Sequence, residues 1–289
     1  MRSVVVATDF STRSDRAIRR GVLIAKTSNA ELRLVHAVDD DQPRRLIEIE
    51  CAEAQRLLAS QAETLRKLDS VEASFSVTLG DPFSSVTQAA SDFGCDLLVI
   101  GPHRRQLLKD AFVGTTAERI IRTSRAPVVM ANATPASPYR HILVAVDFSD
   151  SSASALRLVA GMDWGDTPAI SVVHCFDPPE QTMRGMLVVS DEDMIRYLAD
   201  ARARASAELA SFLRDVQIRP VRQTVETIRT DASAAIRSVA SSAGADLIVV
   251  GQRGRSGFAK VMLGSVAEAV LRSAEVDVLA APRDTAAAS

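Results

Sequence analysis

Short runs of apolar, mostly β-branched residues recur along the chain and predict buried strands. In the first half these runs are Val4–Ala7, Leu32–Val35, Leu97–Ile100 and Val128–Met130. They are continuous rather than alternating, as expected for strands that are covered on both faces. A weaker segment, Phe75–Leu79, alternates apolar and polar residues and predicts a more exposed strand.

Between these runs, apolar residues recur at the spacing of helices that bury one face. The first predicted helix has apolar or small residues at positions 17, 18, 21, 22 and 25, and Ser11 or Thr12 can cap it with a hydroxyl. The same spacing recurs within 52–65, 86–90 and 117–121. Strands that alternate with such helices predict an α/β fold, with an open parallel sheet and helices on both faces.

The second half of the chain repeats the first. Val4–Ser11 resembles Ile142–Ser149 at an offset of 138, and Asp96–Gly101 resembles Asp246–Gly251 at an offset of 150. The second copy therefore has 12 more residues than the first, and we place them around 177–193. Its predicted strands are Ile142–Val146, Ile170–Val173, 221–227, Leu247–Val250 and Val276–Ala280.

A segment rich in Pro, Ser and Ala separates the two copies. Residues 133–138 lack any apolar periodicity, which is typical of a connecting segment. We therefore predict two α/β domains, 1–133 and 139–284, which agrees with the domain sizes expected for 289 residues.

Composition excludes several classes of function. With 34 Lys+Arg and 36 Asp+Glu the net charge is −2, so the chain lacks the basic excess of proteins that bind nucleic acids or membrane surfaces. Aromatic residues make up only 4%, too few for a platform that stacks bases. Three cysteines without a CxxC pair fit a reducing compartment, and no apolar run has the length of a signal-peptide core or a membrane span. We therefore expect a cytoplasmic protein.

Unusual residues stand at the carboxyl ends of the predicted strands, where ligands bind in open α/β sheets. Asp9 and Asp147 follow the first strand of each copy, and Gly101 and Gly251 follow the fourth. In the second copy, Gly251 and Gly254 are followed, nine residues later, by a Gly-Ser pair at 264–265 that begins a helix. Glycines permit a tight turn, and the free amides of a helix N-terminus favour anions, so this pattern predicts a site for a polyphosphate.

At these residues the sequence resembles the universal stress protein family. The resemblance lies in the pattern G-x-x-G-x9-G-S/T, together with V-x-V-D-F-S and D-L-I-V-V-G, and it covers nearly the whole chain twice. It implies two tandem Rossmann-like domains, each with five parallel strands in the order 3-2-1-4-5. It also implies that Val128–Met130 and Val276–Ala280 pair inside the chain as an intramolecular pseudo-dimer, with further homodimerisation left open.

The resemblance further implies a stress-response protein that binds ATP mainly through its second domain, as some members of the family do. Asp147 would lie near the adenosine, the backbone at Cys175 would flank the adenine, and Val250 and Gly251 would meet the ribose or base. Gly254, Gly264, Ser265 and Val266 would hold the phosphates. Mg²⁺ would be bound by the phosphates, so no protein metal ligand is expected.

The first copy departs from this pattern. Arg104 stands where the second glycine belongs, and Pro102 removes an amide donor. The corresponding residues in this domain are therefore candidates for a weaker site: Asp9, Ala37, Gly101, Gly114 and Thr115.

Structural explanations compete with these assignments. Asp9 and Asp147 can simply hold the turn before the next helix, and His36 and His174, at equivalent strand ends, are interpreted as packing or hydrogen-bonding residues. The sequence contains no P-loop, no G-x-S-x-G and no H-E-x-x-H, so no catalytic residue is nominated. Two alternatives to an ATP-binding signalling module stay open: a nucleotide-free scaffold for an unidentified protein partner, and a slow ATP hydrolase or adenylating enzyme.

Overall fold

The computed structural model of the chain describes residues 1–102, 115–177, 191–220, 222–252 and 263–282. The first half contains β1 (Ser3–Ala7), α1 (Thr12–Ser28), β2 (Glu31–Val38), α2 (Arg44–Asp69), β3 (Ala73–Leu79), α3 (Pro82–Asp92), β4 (Leu97–Ile100), α4 (Thr116–Thr123) and β5 (Val128–Met130). The second half contains β6 (His141–Val146), α5 (Asp150–Gly161), β7 (Ala169–Phe176), α6 (Asp191–Val216), β8 (Arg222–Thr227), α7 (Ala232–Ala243), β9 (Leu247–Gly251), α8 (Ser265–Ser273) and β10 (Asp277–Ala281).

All ten strands join one sheet, in the order β3-β2-β1-β4-β5-β10-β9-β6-β7-β8. Within each half this is the order 3-2-1-4-5, with every neighbouring pair parallel. The two halves meet where β5 and β10 pair antiparallel. The predicted fold class, strand order and pairing of the last strands are therefore confirmed.

Helices cover both faces of the sheet and enclose two apolar cores. Ile18 of α1, Leu58 of α2, Leu156 of α5 and Leu209 of α6 belong to one core. The other core takes its helical residues from α3, α4, α7 and α8. Successive strand residues alternate between the cores, which explains why the central strands are apolar without interruption.

Several strands are longer than their apolar runs predicted. The run in β2 ends at Val35, but the strand continues to Val38 because His36 and Ala37 still pair with β3. The run in β7 ends at Val173, and this strand likewise continues to Phe176 through its pairing with β8. Hydrogen bonding to a neighbour thus extends each strand past the histidine that interrupts its apolar run.

Most of the length difference between the copies falls between the second strand and the long helix. β2 and β7 are related by an offset of 138, whereas α2 and α6, each of 26 residues, are related by 147. This places nine extra residues before α6, in the region where the sequence predicted the additional residues, although residues 178–190 lie outside the described ranges.

No helix in the part of the chain that the structure describes is both long and apolar enough to cross a membrane.

Candidate functional site

The turn after β6 is held by Asp147. Its Oδ1 accepts hydrogen bonds from the amide of Ser149 (3.1 Å) and from the Ser149 hydroxyl. The same hydroxyl accepts from the amide of Ser152 (3.2 Å) and so caps α5. Asp9, Ser11 and Ser14 repeat this arrangement at α1, so the structural role that competed with ligand binding at both Asp residues is present.

Each of these turns contains a phenylalanine whose backbone adopts the left-handed conformation. Phe148 has φ 63° and stacks on His174 with ring centroids 4.0 Å apart, and Phe10 has φ 57° and lies 4.4 Å from His36. The Nδ1 of His174 is 2.9 Å from the carbonyl oxygen of Val146, so the imidazole donates a proton there. The Nδ1 of His36 makes the same contact, at 2.8 Å, to the carbonyl oxygen of Thr8. Both histidines therefore pack and hydrogen-bond, as interpreted from the sequence.

Gly251 and Gly101 are required by helix packing. A Cβ on Gly251 would lie 3.1 Å from the carbonyl carbon of Ser151 in the first turn of α5. A Cβ on Gly101 would lie 2.9 Å from the carbonyl oxygen of Arg13 in α1. The sequence singled out these glycines for a turn and for a ligand's approach, whereas in the structure they let the helix after the first strand pack against the fourth strand.

The start of α8 is tied to the end of β9. The amide of Gly264 donates to the carbonyl of Gln252 at 2.8 Å, and the amide of Gln252 donates to Ala281 of β10 at 3.0 Å. Gly264 is the N-cap residue of α8, with φ −65° and no side chain to accept from the first-turn amides. These amides have no acceptor within the helix, and together with the helix dipole they favour an anion.

The equivalent helix of the first domain begins differently. Thr115 is the N-cap of α4, and its hydroxyl accepts from the amide of Glu118 at 3.1 Å. A first-turn amide is therefore satisfied by a side chain in α4, whereas Gly264 offers no such acceptor in α8. The two copies thus differ at the position where the sequence predicted phosphate binding.

In the second domain, β6 lies between β7 and β9. The strand order therefore reverses at β6, and the chain connections run to opposite sides of it. The crevice beside such a strand is where ligands bind in this class of sheet. The structure brings five predicted residues to this edge, on β6, β7, β9 and the start of α8, whereas Gly254 lies outside the described residues. The five are Asp147, Cys175, Gly251, Gly264 and Ser265.

The remaining predicted residues of this domain have a clear placement. Val250 is a core residue of β9, 3% exposed, so only its backbone is available to a ligand. Val266, in the first turn of α8, is exposed. Burial, reinforced by the charge of Glu226, raises the pKa of the Cys175 thiol to about 12, which makes it an inert neighbour rather than a nucleophile.

In the first domain, Asp9 has a cationic neighbour in the next helix, Arg13. The Nη2 of Arg13 lies 3.5 Å from the Oδ2 of Asp9, and the repeat places Ser151 where Arg13 stands. Partial burial raises the pKa of Asp9, but hydrogen bonds from Ser11 and Ser14 and the Arg13 charge outweigh it, so the net pKa is lowered. Gly101 and the half-buried Ala37 stand at the strand ends, and Gly114 and Arg104 lie outside the described residues.

Sequence reasoning missed Gln252. It is 9% exposed, and its side-chain amide donates to the carbonyl of Ile121 in α4 of the other domain at 2.7 Å. Its position directly after Gly251 could be read from the sequence, but a contact between residues 131 positions apart leaves no local pattern.

Among the residues that the structure describes, no cluster of three or more His, Cys, Asp or Glu side chains could hold a metal ion.

Fold and site together define a tandem α/β protein: two Rossmann-like domains in one sheet, each with its first strand at the point where the strand order reverses. The sequence profile of the universal stress protein family matches residues 1–132 and, again, residues 138–282. The chain therefore belongs to the universal stress protein family and carries the family's domain twice.

Relatives agree with this assignment. Universal stress protein Rv2005c of Mycobacterium tuberculosis is 24% identical over an alignment of 306 residues that covers 96% of each chain. A crystal structure of a universal stress protein from Archaeoglobus fulgidus covers 98% of each chain with a TM-score of 0.68 at 19% identity, which supports the fold. A universal stress protein solved in complex with cAMP matches 45% of this chain at 26% identity, with a TM-score of 0.33.

Proposed function

We propose that this protein binds ATP in the crevice of its second domain and acts as a nucleotide-responsive binding and signalling module in a cytoplasmic stress response. One observation carries the proposal. The N-terminus of α8 begins at a glycine without a side-chain cap and is tied by Gln252 to the carboxyl edge of β9. Free amides, a positive dipole end and a strand-end crevice meet at one place, as a bound polyphosphate requires.

Each residue has a defined role in this proposal. The phosphates accept hydrogen bonds from the first-turn amides of α8, beginning at Ser265, and from the Ser265 hydroxyl. Asp147 keeps Oδ1 on Ser149 and presents its carboxylate toward the adenosine. The carboxyl ends of β7 and β9, at Cys175 and Gly251, border the base and ribose. Mg²⁺ is held by the phosphates rather than by protein side chains.

The first domain is the weaker site in this proposal. Arg13 lies 3.5 Å from Asp9 in an exposed ion pair, and Thr115 uses its own hydroxyl to satisfy an amide at the start of α4. Both contacts compete with a nucleotide for these groups, so one molecule of ATP per chain is expected. The first domain then supplies structure and interaction surface.

Two measurements test the proposal. Mass spectrometry of small molecules released from the purified protein should find an adenine nucleotide, and calorimetric titration should give one site per chain. Release of intact ATP supports a bound ligand, whereas release of ADP alone after incubation with ATP supports the slow hydrolase. Absence of binding at millimolar ATP would refute the proposal and favour the nucleotide-free scaffold.

A further inference from the structure

The two domains pair across a pseudo-twofold axis that passes through one residue pair. In the β5–β10 ladder, Val129 lies opposite Leu279, and Met130 and Val128 lie opposite Val278 and Ala280. The repeat offset of 150 relates Val129 to Leu279 and exchanges the two outer pairs. The backbone register is therefore the one that two identical domains would also adopt, and the register alone does not decide which domains pair.

A buried ion pair crosses this axis. The Nε of Arg20 in α1 lies 2.6 Å from the Oδ2 of Asp277 in β10, and the side chains are 4% and 0% exposed. Asp277 also accepts from the Tyr139 hydroxyl (2.8 Å) and from the amide of Ala133 (2.9 Å). Arg20 also donates to the carbonyl of Ser137 (2.9 Å) and lies over the Tyr139 ring. Both charges are thus fully compensated by the opposite domain and the linker.

This ion pair exists on one side of the axis only. The repeat relates Arg20 to Leu158 and Asp277 to Pro127, so neither charge has a counterpart at its symmetry-related position. On the opposite face of the sheet, the contact from Gln252 to the carbonyl of Ile121 is also one-sided, because the repeat places Pro102 at the position of Gln252.

We infer that these one-sided contacts make the last-strand edge of each domain specific for the other domain and exclude a second copy of the same domain. Two first domains paired in this register would bury two Arg20 guanidiniums without a carboxylate. Two second domains would bury two Asp277 carboxylates without a guanidinium. A buried charge that loses its partner is strongly unfavourable, so each false pairing is disfavoured at two positions at once.

The experiment uses the full chain, cut after folding. A protease site is inserted between the exposed residues Ala136 and Ser137, the folded protein is cleaved, and the halves are unfolded in urea and refolded together. Native mass spectrometry then distinguishes three dimers by mass. We expect the unmodified interface to give only the mixed dimer of one first and one second domain.

The decisive variant is Arg20→Met with Asp277→Asn, which removes both charges and keeps an acceptor for the Ala133 amide. Dimers of identical domains should then appear, in a proportion limited by the Gln252 contact that this variant keeps. A matched control, Glu53→Gln with Arg56→Gln, removes an exposed ion pair on α2 and should leave only the mixed dimer. Identical-domain dimers from the unmodified interface, or none from the Arg20 and Asp277 variant, would overturn the inference.

A second measurement covers the case in which the cut variant does not refold. In the uncut chain, Arg20→Met and Asp277→Asn should each lower the urea midpoint of unfolding, and the double variant should lose less than the sum of the two. Additive losses would show that the two charges are not coupled, and the inference would fail.

Discussion

The substitution Gly264→Asp separates helix stability from phosphate binding. An aspartate at the N-cap of α8 would accept from a first-turn amide, as Thr115 does at 3.1 Å in α4. Gly264 has φ −65° and ψ 143°, a conformation that any residue adopts, so no backbone strain is introduced. Replacing an N-cap glycine with aspartate is worth only a few tenths of a kcal/mol, so stability should be unchanged or slightly higher.

Nucleotide binding should respond in the opposite direction. The new carboxylate occupies an amide that a phosphate would use and adds a negative charge beside it. For unit charges about 5 Å apart, the repulsion is about 1–3 kcal/mol at an effective dielectric constant between roughly 80 and 20. This corresponds to a dissociation constant roughly 5- to 150-fold weaker, before the lost hydrogen bond is counted.

Calorimetric titration with ATP measures this effect, and urea unfolding of the same samples checks stability. The control is Thr115→Asp, which places the same carboxylate at the N-cap of α4, where a side chain already caps the helix. It should leave the affinity unchanged, because the proposed site lies in the other domain. Equal losses in both variants, or unchanged affinity in Gly264→Asp, would refute the reasoning that places the triphosphate at α8.

Three further predictions concern residues elsewhere in the chain. Burial raises the pKa of the Cys95 thiol to about 12, so iodoacetamide at neutral pH should modify Cys51 before Cys95, as peptide mass spectrometry can verify. Gln252→Leu leaves a buried carbonyl at the end of α4 without its donor and should cost about 1–3 kcal/mol in urea unfolding; a cost near zero would mean that the contact is dispensable. The pKa of Asp9 is lowered on folding, so its contribution to stability is present above the unfolded pKa and is lost as pH falls through the folded one. The difference in melting temperature between the protein and Asp9→Asn should therefore be larger at neutral pH than in acid, and a difference independent of pH would contradict this assignment.

Much of the fold could be predicted because local sequence patterns determine its strands and helices. The continuous apolar runs mark strands covered on both faces, and the repeated motif after β1 and β6 aligns the two copies. The limits of β2 and β7 could not be read in this way, because their last residues are held by pairing with neighbouring strands. Strand order and the pairing of β5 with β10 came from the family resemblance rather than from the patterns themselves.

The strand-end residues could be picked out from the sequence, but the contacts that they make could not. Gly251 was found as a strand-end glycine, yet the atoms that require it belong to Ser151, in a helix distant in sequence. The left-handed conformation of Phe148 has no local signal, since phenylalanine does not favour it, and the ring that it stacks on, His174, lies on the next strand, β7. Arg20 lies 257 positions from Asp277, and on a predicted amphipathic helix it would be assigned to the exposed face.

The proposed site and the domain interface share Gln252. Its carbonyl holds the amide of Gly264, and its side chain holds the carbonyl of Ile121 across the interface. A phosphate on the first turn of α8 would therefore act on a residue that already contacts the first domain. Because a ligand shifts only the states that it binds differentially, this hydrogen bond is one route by which bound ATP would act on the first domain. Since Pro102 stands at the equivalent position of the first copy, a nucleotide bound in the first domain would have no equivalent side-chain hydrogen bond to the second domain.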